Sequence, residues 1–232
     1  MFTEQKVVLA ADDFSKEDLI DFVKKIGNRV YCVKVHNLYD EFGPSIVSDL
    51  KQAGALRVWM DAKLHDIPNT VKLRAQAFAK AGCDILTVHA SGGVEMMLAA
   101  KQGFGEGKVF AITALTSLED SEITNIYNSP DAKALVGRLA ILIKQAGVDG
   151  LVCSPKEITM LRANPEFSGL ELVIPGIRSA GVDTNDQKRF DTPGNAIKAG
   201  ANFLVIGRQL TKAEDAVKAL DLLEAEIARA LK

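Results

Sequence analysis

The densest chemistry in this sequence lies in one run, Trp59-Met60-Asp61-Ala62-Lys63-Leu64-His65-Asp66-Ile67-Pro68-Asn69-Thr70. Alternate residues of a strand share a face, so Asp61 and Lys63 are expected to point the same way, with Asp66 following on the loop. Two carboxylates close to one ammonium leave a surplus of negative charge, which is costly among apolar neighbours unless something offsets it. Lys34, near the end of the apolar run Tyr31–Val35, supplies the missing cation. An alternating Lys34–Asp61–Lys63–Asp66 array is neutral as a whole and strongly polarised locally. In such a setting an ammonium can stabilise a developing anion and then neutralise it with a proton. The plainer alternative is that Asp61 and Lys63 form an ion pair that merely fills a core.

The elements that must position these residues are short apolar runs alternating with longer helical patterns. Strands are predicted at Val7–Ala11, Tyr31–Val35, Val58–Ala62, Ile85–His89, Val109–Leu115, Gly150–Cys153, Leu172–Pro175 and Phe203–Ile206. Several are continuously apolar, as strands covered on both faces should be. Helical periodicity marks Lys16–Ile26, Ser45–Gln52, Val71–Ala81, Ala132–Gln145 and Ala213–Leu231. Pro68 blocks the third strand from continuing, and Asn69 or Thr70 is expected to cap the next helix. Ala53-Gly54, Ala81-Gly82, Ala146-Gly147 and Ala199-Gly200 each set a glycine at a helix end just before the next strand, one αβ connection used repeatedly. Eight strand–helix units with no Pro/Ser-rich linker predict a closed parallel barrel, a (β/α)8 TIM barrel, as one domain over residues 1–232. Chemistry then belongs at the C-terminal strand ends, where Asp12, Lys34, Asp61, Lys63, Thr116, Pro175, Arg178, Gly207 and Arg208 fall.

Composition narrows the function classes. A net charge of -2 gives no basic field to attract nucleic acid. No apolar stretch approaches the roughly 20 residues that span a bilayer, and no leader pattern precedes the first strand, so no membrane partner is expected and the reading is cytoplasmic. Cys32, Cys83 and Cys153 are widely spaced and odd in number, which fits buried thiols in a reducing compartment.

The run Asp61-x-Lys63-x-His65-Asp66-Ile67-Pro68-Asn69-Thr70 resembles the most distinctive motif of the orotidine 5'-monophosphate decarboxylases. The resemblance covers essentially the whole chain: Val8–Asp12, Val33-Lys34-Val35, Val88–Gly93, Leu115-Thr116-Ser117, Pro175-Gly176-Ile177-Arg178 and Val205-Ile206-Gly207-Arg208 follow in the family's order. It implies decarboxylation of orotidine 5'-monophosphate to uridine 5'-monophosphate and carbon dioxide, in pyrimidine synthesis, with neither cofactor nor metal. Lys63 is then the acid that protonates carbon 6 of the pyrimidine. Asp61 faces the substrate carboxylate, where like charges at about 4 Å repel by about 4 kcal/mol at an effective dielectric near 20. Lys34 orients Asp61 and contacts the ribose, and Asp12 accepts a ribose hydroxyl. Asp66 and Thr70, with Ile67 between them, reach the other subunit's site, which implies a homodimer with shared sites. Pro175, Arg178, Gly207 and Arg208 cradle the phosphate, as glycine backbone and guanidinium forks are suited to do. Thr116 reads the pyrimidine amide edge. Gln187, within the long Gly- and Asp-rich segment Ser179–Asp191 expected to act as a lid, bridges phosphate and base.

Two positions depart from the pattern. Ala11 stands where leucine is usual, and His36-Asn37 replaces the usual glycine close to Lys34. His65 and His89 are read as residues that hold loops rather than as metal ligands. The rivals are keto-gulonate-phosphate decarboxylases and hexulose-phosphate synthases, which share Asp-x-Lys but rely on magnesium and lack the Ile-Pro-Asn-Thr continuation. A non-catalytic barrel that binds a nucleotide phosphate would have no use for the alternating array.

Overall fold

The computed structural model describes residues 5–179 and 191–232. Gln187 and the interior of the expected lid lie outside the described residues. In chain order the first half comprises β1 (Val7–Ala10), α1 (Lys16–Ile26), β2 (Cys32–Val35), α2 (Asn37–Phe42), α3 (Ser45–Gln52), β3 (Val58–Leu64), α4 (Pro68–Lys80), β4 (Ile85–His89) and α5 (Val94–Phe104). There follow β5 (Lys108–Ile112), α6 (Asp120–Tyr127), α7 (Ala132–Ala146), β6 (Gly150–Val152), α8 (Ile158–Ala163), β7 (Glu171–Ile174), α9 (Pro193–Ala199), β8 (Phe203–Ile206), α10 (Arg208–Thr211) and α11 (Ala216–Ala230).

All eight strands are parallel and β1 pairs with β8, so the sheet closes into the expected (β/α)8 barrel. The strands' period-two alternation divides their side chains between two cores. Outward residues such as Leu9, Val33, Met60 and Leu86 pack beneath the helices. Inward residues Val8, Cys32, Trp59, Ile85, Phe110, Val173 and Phe203 fill the barrel itself. Trp59 meets Phe110 edge-on at 5.4 Å and donates its indole N–H to Thr87 Oγ1 at 2.6 Å. This packed layer closes the barrel below its upper mouth. Among the described residues, no helix is long and apolar enough to cross a membrane.

Several boundaries differ from the expectations. The four Ala-Gly helix ends all have the glycine at positive φ (110°, 87°, 64° and 108°), as predicted. Helix α4 begins earlier than its periodicity suggests, because Pro68 starts it: the fixed φ of proline suits a first helical position, and Ile67 rather than Asn69 or Thr70 is the N-cap. The predicted helix from Ala213 starts instead at Ala216, where the Asp215 side chain accepts from Lys218 N. Strand β5 ends at Ile112, so Ala114 to Ser117 form the loop above it.

Candidate active site

Strand β3 carries the charged run, and its geometry is not a regular strand. Met60 pairs with Leu86 while Leu64 pairs with Val88, so three residues of β3 oppose Thr87 alone. Simple alternation therefore does not account for the common direction of Asp61 and Lys63. The bulge re-aims Lys63, whose φ of 47° lies in the left-handed region that a lysine seldom adopts. Holding such a residue there costs about 1–3 kcal/mol, a strain that recurs at functional sites.

The result is a chain of charges. Asp61 Oδ2 accepts from Lys34 Nζ at 3.0 Å and from Lys63 Nζ at 2.7 Å. Lys34 Nζ also lies 3.6 Å from Asp12 Oδ1. Asp61 and Lys34 are buried (side chains 8% and 10% exposed), whereas Lys63 at 43% reaches into the mouth. Burial by itself would raise the Asp61 carboxyl, but the two ammoniums prevail and hold it down at about 2. Burial likewise opposes the charge of Lys34, yet Asp61 and Asp12 outweigh it and keep its ammonium above the usual lysine range. Both groups are thus charged at neutral pH.

Asp12, not Asp66, completes the array within this chain. Asp66 is exposed beyond the end of β3, where its Oδ1 accepts from Ile67 N at 2.7 Å. Ile67 is 67% exposed, and neither it nor Asp66 nor Thr70 lines the chain's own cavity. His36 does line it. Its Nδ1 accepts from Asn37 N at 2.7 Å, so Nε2 carries the proton and donates to Asp12 Oδ1 at 3.0 Å. Position next to Lys34 was the sequence signal for that contact. His65 and His89 sit apart from the cavity with ring centroids 5.5 Å from one another, and burial pushes His89 below its ordinary pKa, with His65 and Lys63 adding to the effect.

The cavity occupies about 530 Å³ above the Trp59 layer. Asp12, Lys34, Asp61 and Lys63 meet there with Thr116, Pro175, Arg178, Gly207 and Arg208, so nine of the predicted residues converge from separate stretches of the chain. Gly176 has φ 73°, a turn that glycine makes without steric cost, and it brings Arg178 back into the mouth, where that residue is only 7% exposed. Gly207 caps the first turn of α10, which starts with Arg208.

Comparison with known proteins decides the family. Residues 5–223 match the model of the Orotidine 5'-phosphate decarboxylase / HUMPS family. The chain belongs to that family. It is 42% identical to an orotidine 5'-phosphate decarboxylase of Pseudoalteromonas atlantica, over 97% of this chain and 99% of that protein. It is 40% identical to one of Aliivibrio fischeri, over 98% and 99%. Among solved structures, an orotidine 5'-phosphate decarboxylase of Lactobacillus acidophilus superposes with a TM-score of 0.83 at 34% identity, covering 97% of this chain and 99% of that one.

Proposed function

We propose that the chain decarboxylates orotidine 5'-monophosphate to uridine 5'-monophosphate and carbon dioxide. The observation that carries this reading is the single Asp61 oxygen shared by two ammoniums, one of them on a strained, half-exposed lysine at a cavity that also holds Arg178 and Arg208. A cavity of about 530 Å³ is of the size that encloses a nucleotide. Two arginines at the ends of β7 and β8 suit its phosphate.

In this reading the pyrimidine carboxylate lies against Asp61 and is repelled by it. The bond from carbon 6 to the carboxylate breaks, its electron pair stays on carbon 6, and carbon dioxide leaves uncharged. The Lys63 ammonium stabilises that anion and transfers its proton to carbon 6, then regains one from water. Lys34 keeps Asp61 ionised and in place, and Asp12 takes a ribose hydroxyl. Thr116 contacts the pyrimidine edge. No step calls for a metal or a cofactor, since side chains supply every charge. The whole reaction fits one barrel domain in a reducing cytoplasm, where Cys32, Cys83 and Cys153 stay as buried, reduced thiols.

The test is loss of the orotate-ring absorbance from orotidine 5'-monophosphate with a chelator present. Rapid loss, unchanged by chelator and reduced at least about 100- to 10,000-fold in Lys63→Ala, is expected. Turnover of a sugar phosphate with magnesium, and none of the nucleotide, would overturn it.

Asp66 and Ile67 are exposed and Thr70 is half-buried, and all three lie outside the chain's own cavity. We read them as completing the site of a second copy in a homodimer. Mixing Lys63→Ala protein with Asp66→Ala protein should then restore activity, because some mixed dimers hold one intact site. No recovery from two well-folded parents would sink the shared-site reading.

A further inference from the structure

Arg178 and Arg208 are each followed directly by a residue of one hydrogen-bonded cluster. The Ser179 backbone N–H donates to Gln209 Oε1 at 3.0 Å, and Gln209 Nε2 donates back to Ser179 Oγ at 2.7 Å. Ser179 Oγ in turn donates to Glu226 Oε2 at 2.9 Å. The other Glu226 oxygen accepts from Gly194 N at 3.0 Å, in the first turn of α9. On its far side the Arg178 loop is tied to Asp191, which accepts from Arg178 N at 3.0 Å and donates to Gly176 O at 3.3 Å.

The chemistry of this cluster answers a specific difficulty. Strands β7 and β8 are neighbours in the barrel, paired at Ile174 and Leu204, so their ends bring two guanidiniums to one cavity. An anion site shared by two loops costs ordering entropy on binding unless the loops are held in register before the ligand arrives. The reciprocal link between Ser179 and Gln209 supplies that hold, tying the residue after Arg178 to the residue after Arg208. Glu226, from the C-terminal helix α11, fixes the hydroxyl in the middle of that link.

We propose that Gln209, Ser179 and Glu226 form a clasp that positions Arg178 and Arg208 for the substrate phosphate. All three are positioning residues: none lines the cavity, and each acts through the arginine loops. The proposal rests on the reading of these arginines as the phosphate site. An arginine pair held in advance binds phosphate without the cost of ordering the loops, so the clasp sets affinity for the phosphate and not for the nucleoside.

Three ligands separate this from a general structural role: uridine 5'-monophosphate, inorganic phosphate and uridine, titrated by NMR into the parent, Gln209→Leu and Ser179→Ala. Gln209→Leu should weaken the first two ligands by about tenfold, the worth of one or two neutral hydrogen bonds, and leave uridine unchanged. Ser179→Ala, a small change that keeps the backbone donor, should weaken them in the same direction by less. An equal loss for uridine, or no loss for phosphate in either variant, would overturn the clasp. The outcome is independent of turnover. A parent that binds these ligands but fails to decarboxylate the nucleotide would instead count against the proposed reaction.

Discussion

At the lower, N-terminal end of the barrel, Lys108 Nζ meets both oxygens of Glu171, at 2.6 and 2.8 Å. The same ammonium lies 5.8 Å and 5.6 Å from the ring centroids of Tyr31 and Phe203, which stack on each other at 3.9 Å. Arg57 covers the Tyr31 ring from 4.7 Å. At the upper end, Lys34 and Lys63 share one oxygen of Asp61, and Lys63 keeps a backbone conformation that only its surroundings impose. Both ends hold partly buried ion pairs that link different strands, β5 to β7 below and β2 to β3 above, yet they differ in how the charges are shared. Below, one cation has one carboxylate and aromatic faces to lie on. Above, two cations divide one carboxylate oxygen at an open cavity. A carboxylate closed on one cation stabilises the fold, whereas an array in which a strained lysine shares its carboxylate oxygen, with Asp12 3.6 Å from the other lysine, keeps charge at a cavity where a ligand can meet it.

The largest expected difference between the two ends is in turnover. Asp61→Asn should lower kcat by about 100-fold or more, as losses of electrostatic groups at reacting centres do. Glu171→Gln should leave kcat unchanged and cost no more than about 1 kcal/mol of stability, because that pair is partly solvated. Steady-state assays and denaturant unfolding of both variants check this, and similar kcat losses at the two ends would break the comparison.

Next in size is the response to acid. The Asp61 carboxyl is held at about 2 in the folded protein, against an unfolded value of about 3.9. The unfolded chain thus binds more protons in that interval, and stability falls as pH falls. The contribution, on the order of 2 kcal/mol, is complete above about pH 5 and is lost as the pH falls towards 2. Unfolding free energies at pH 6 and near pH 3 should differ less in Asp61→Asn than in the parent; an identical difference would show that Asp61 gains nothing from its two lysines.

The smallest effect concerns the backbone. Lys63→Gly and Lys63→Ala should both be inactive, but the glycine variant should be more stable by about 1 kcal/mol, because glycine accepts positive φ without strain. Equal unfolding midpoints would mean that the bulge carries no strain at Lys63.

Much of the barrel was legible because its strands are continuously apolar and its helices end in Ala-Gly steps that must adopt positive φ. Every predicted strand has a counterpart in the structure: Ile85–His89 and Phe203–Ile206 keep their predicted bounds, and the other six have one or both ends moved by one to three residues. Boundary errors arose where a local rule had a competitor, as at Pro68, which begins α4 instead of separating it from β3. The site residues were legible as types in a motif, but the contact of Asp12 with Lys34 within one chain was not. Asp66 is closer to Lys63 in sequence than Asp12 is, yet Asp12 reaches Lys34 because β1 and β2 pair with Ala10 opposite Lys34. Gln209, Ser179 and Glu226 gave no signal at all, being single polar residues far apart in the chain.

What the sequence determined by itself is therefore periodic or local: alternating strands and helices, the glycine ends, the family's ordered motifs, and the residue types available for acid, anion and phosphate chemistry. Only the tertiary structure decided which charges touch, that Lys63 is directed by a bulge instead of by alternation, and that two arginine loops are joined through a third helix. Spacing along a chain limits local geometry, whereas contact between distant residues depends on strand register and closure of the barrel, which are properties of the whole fold.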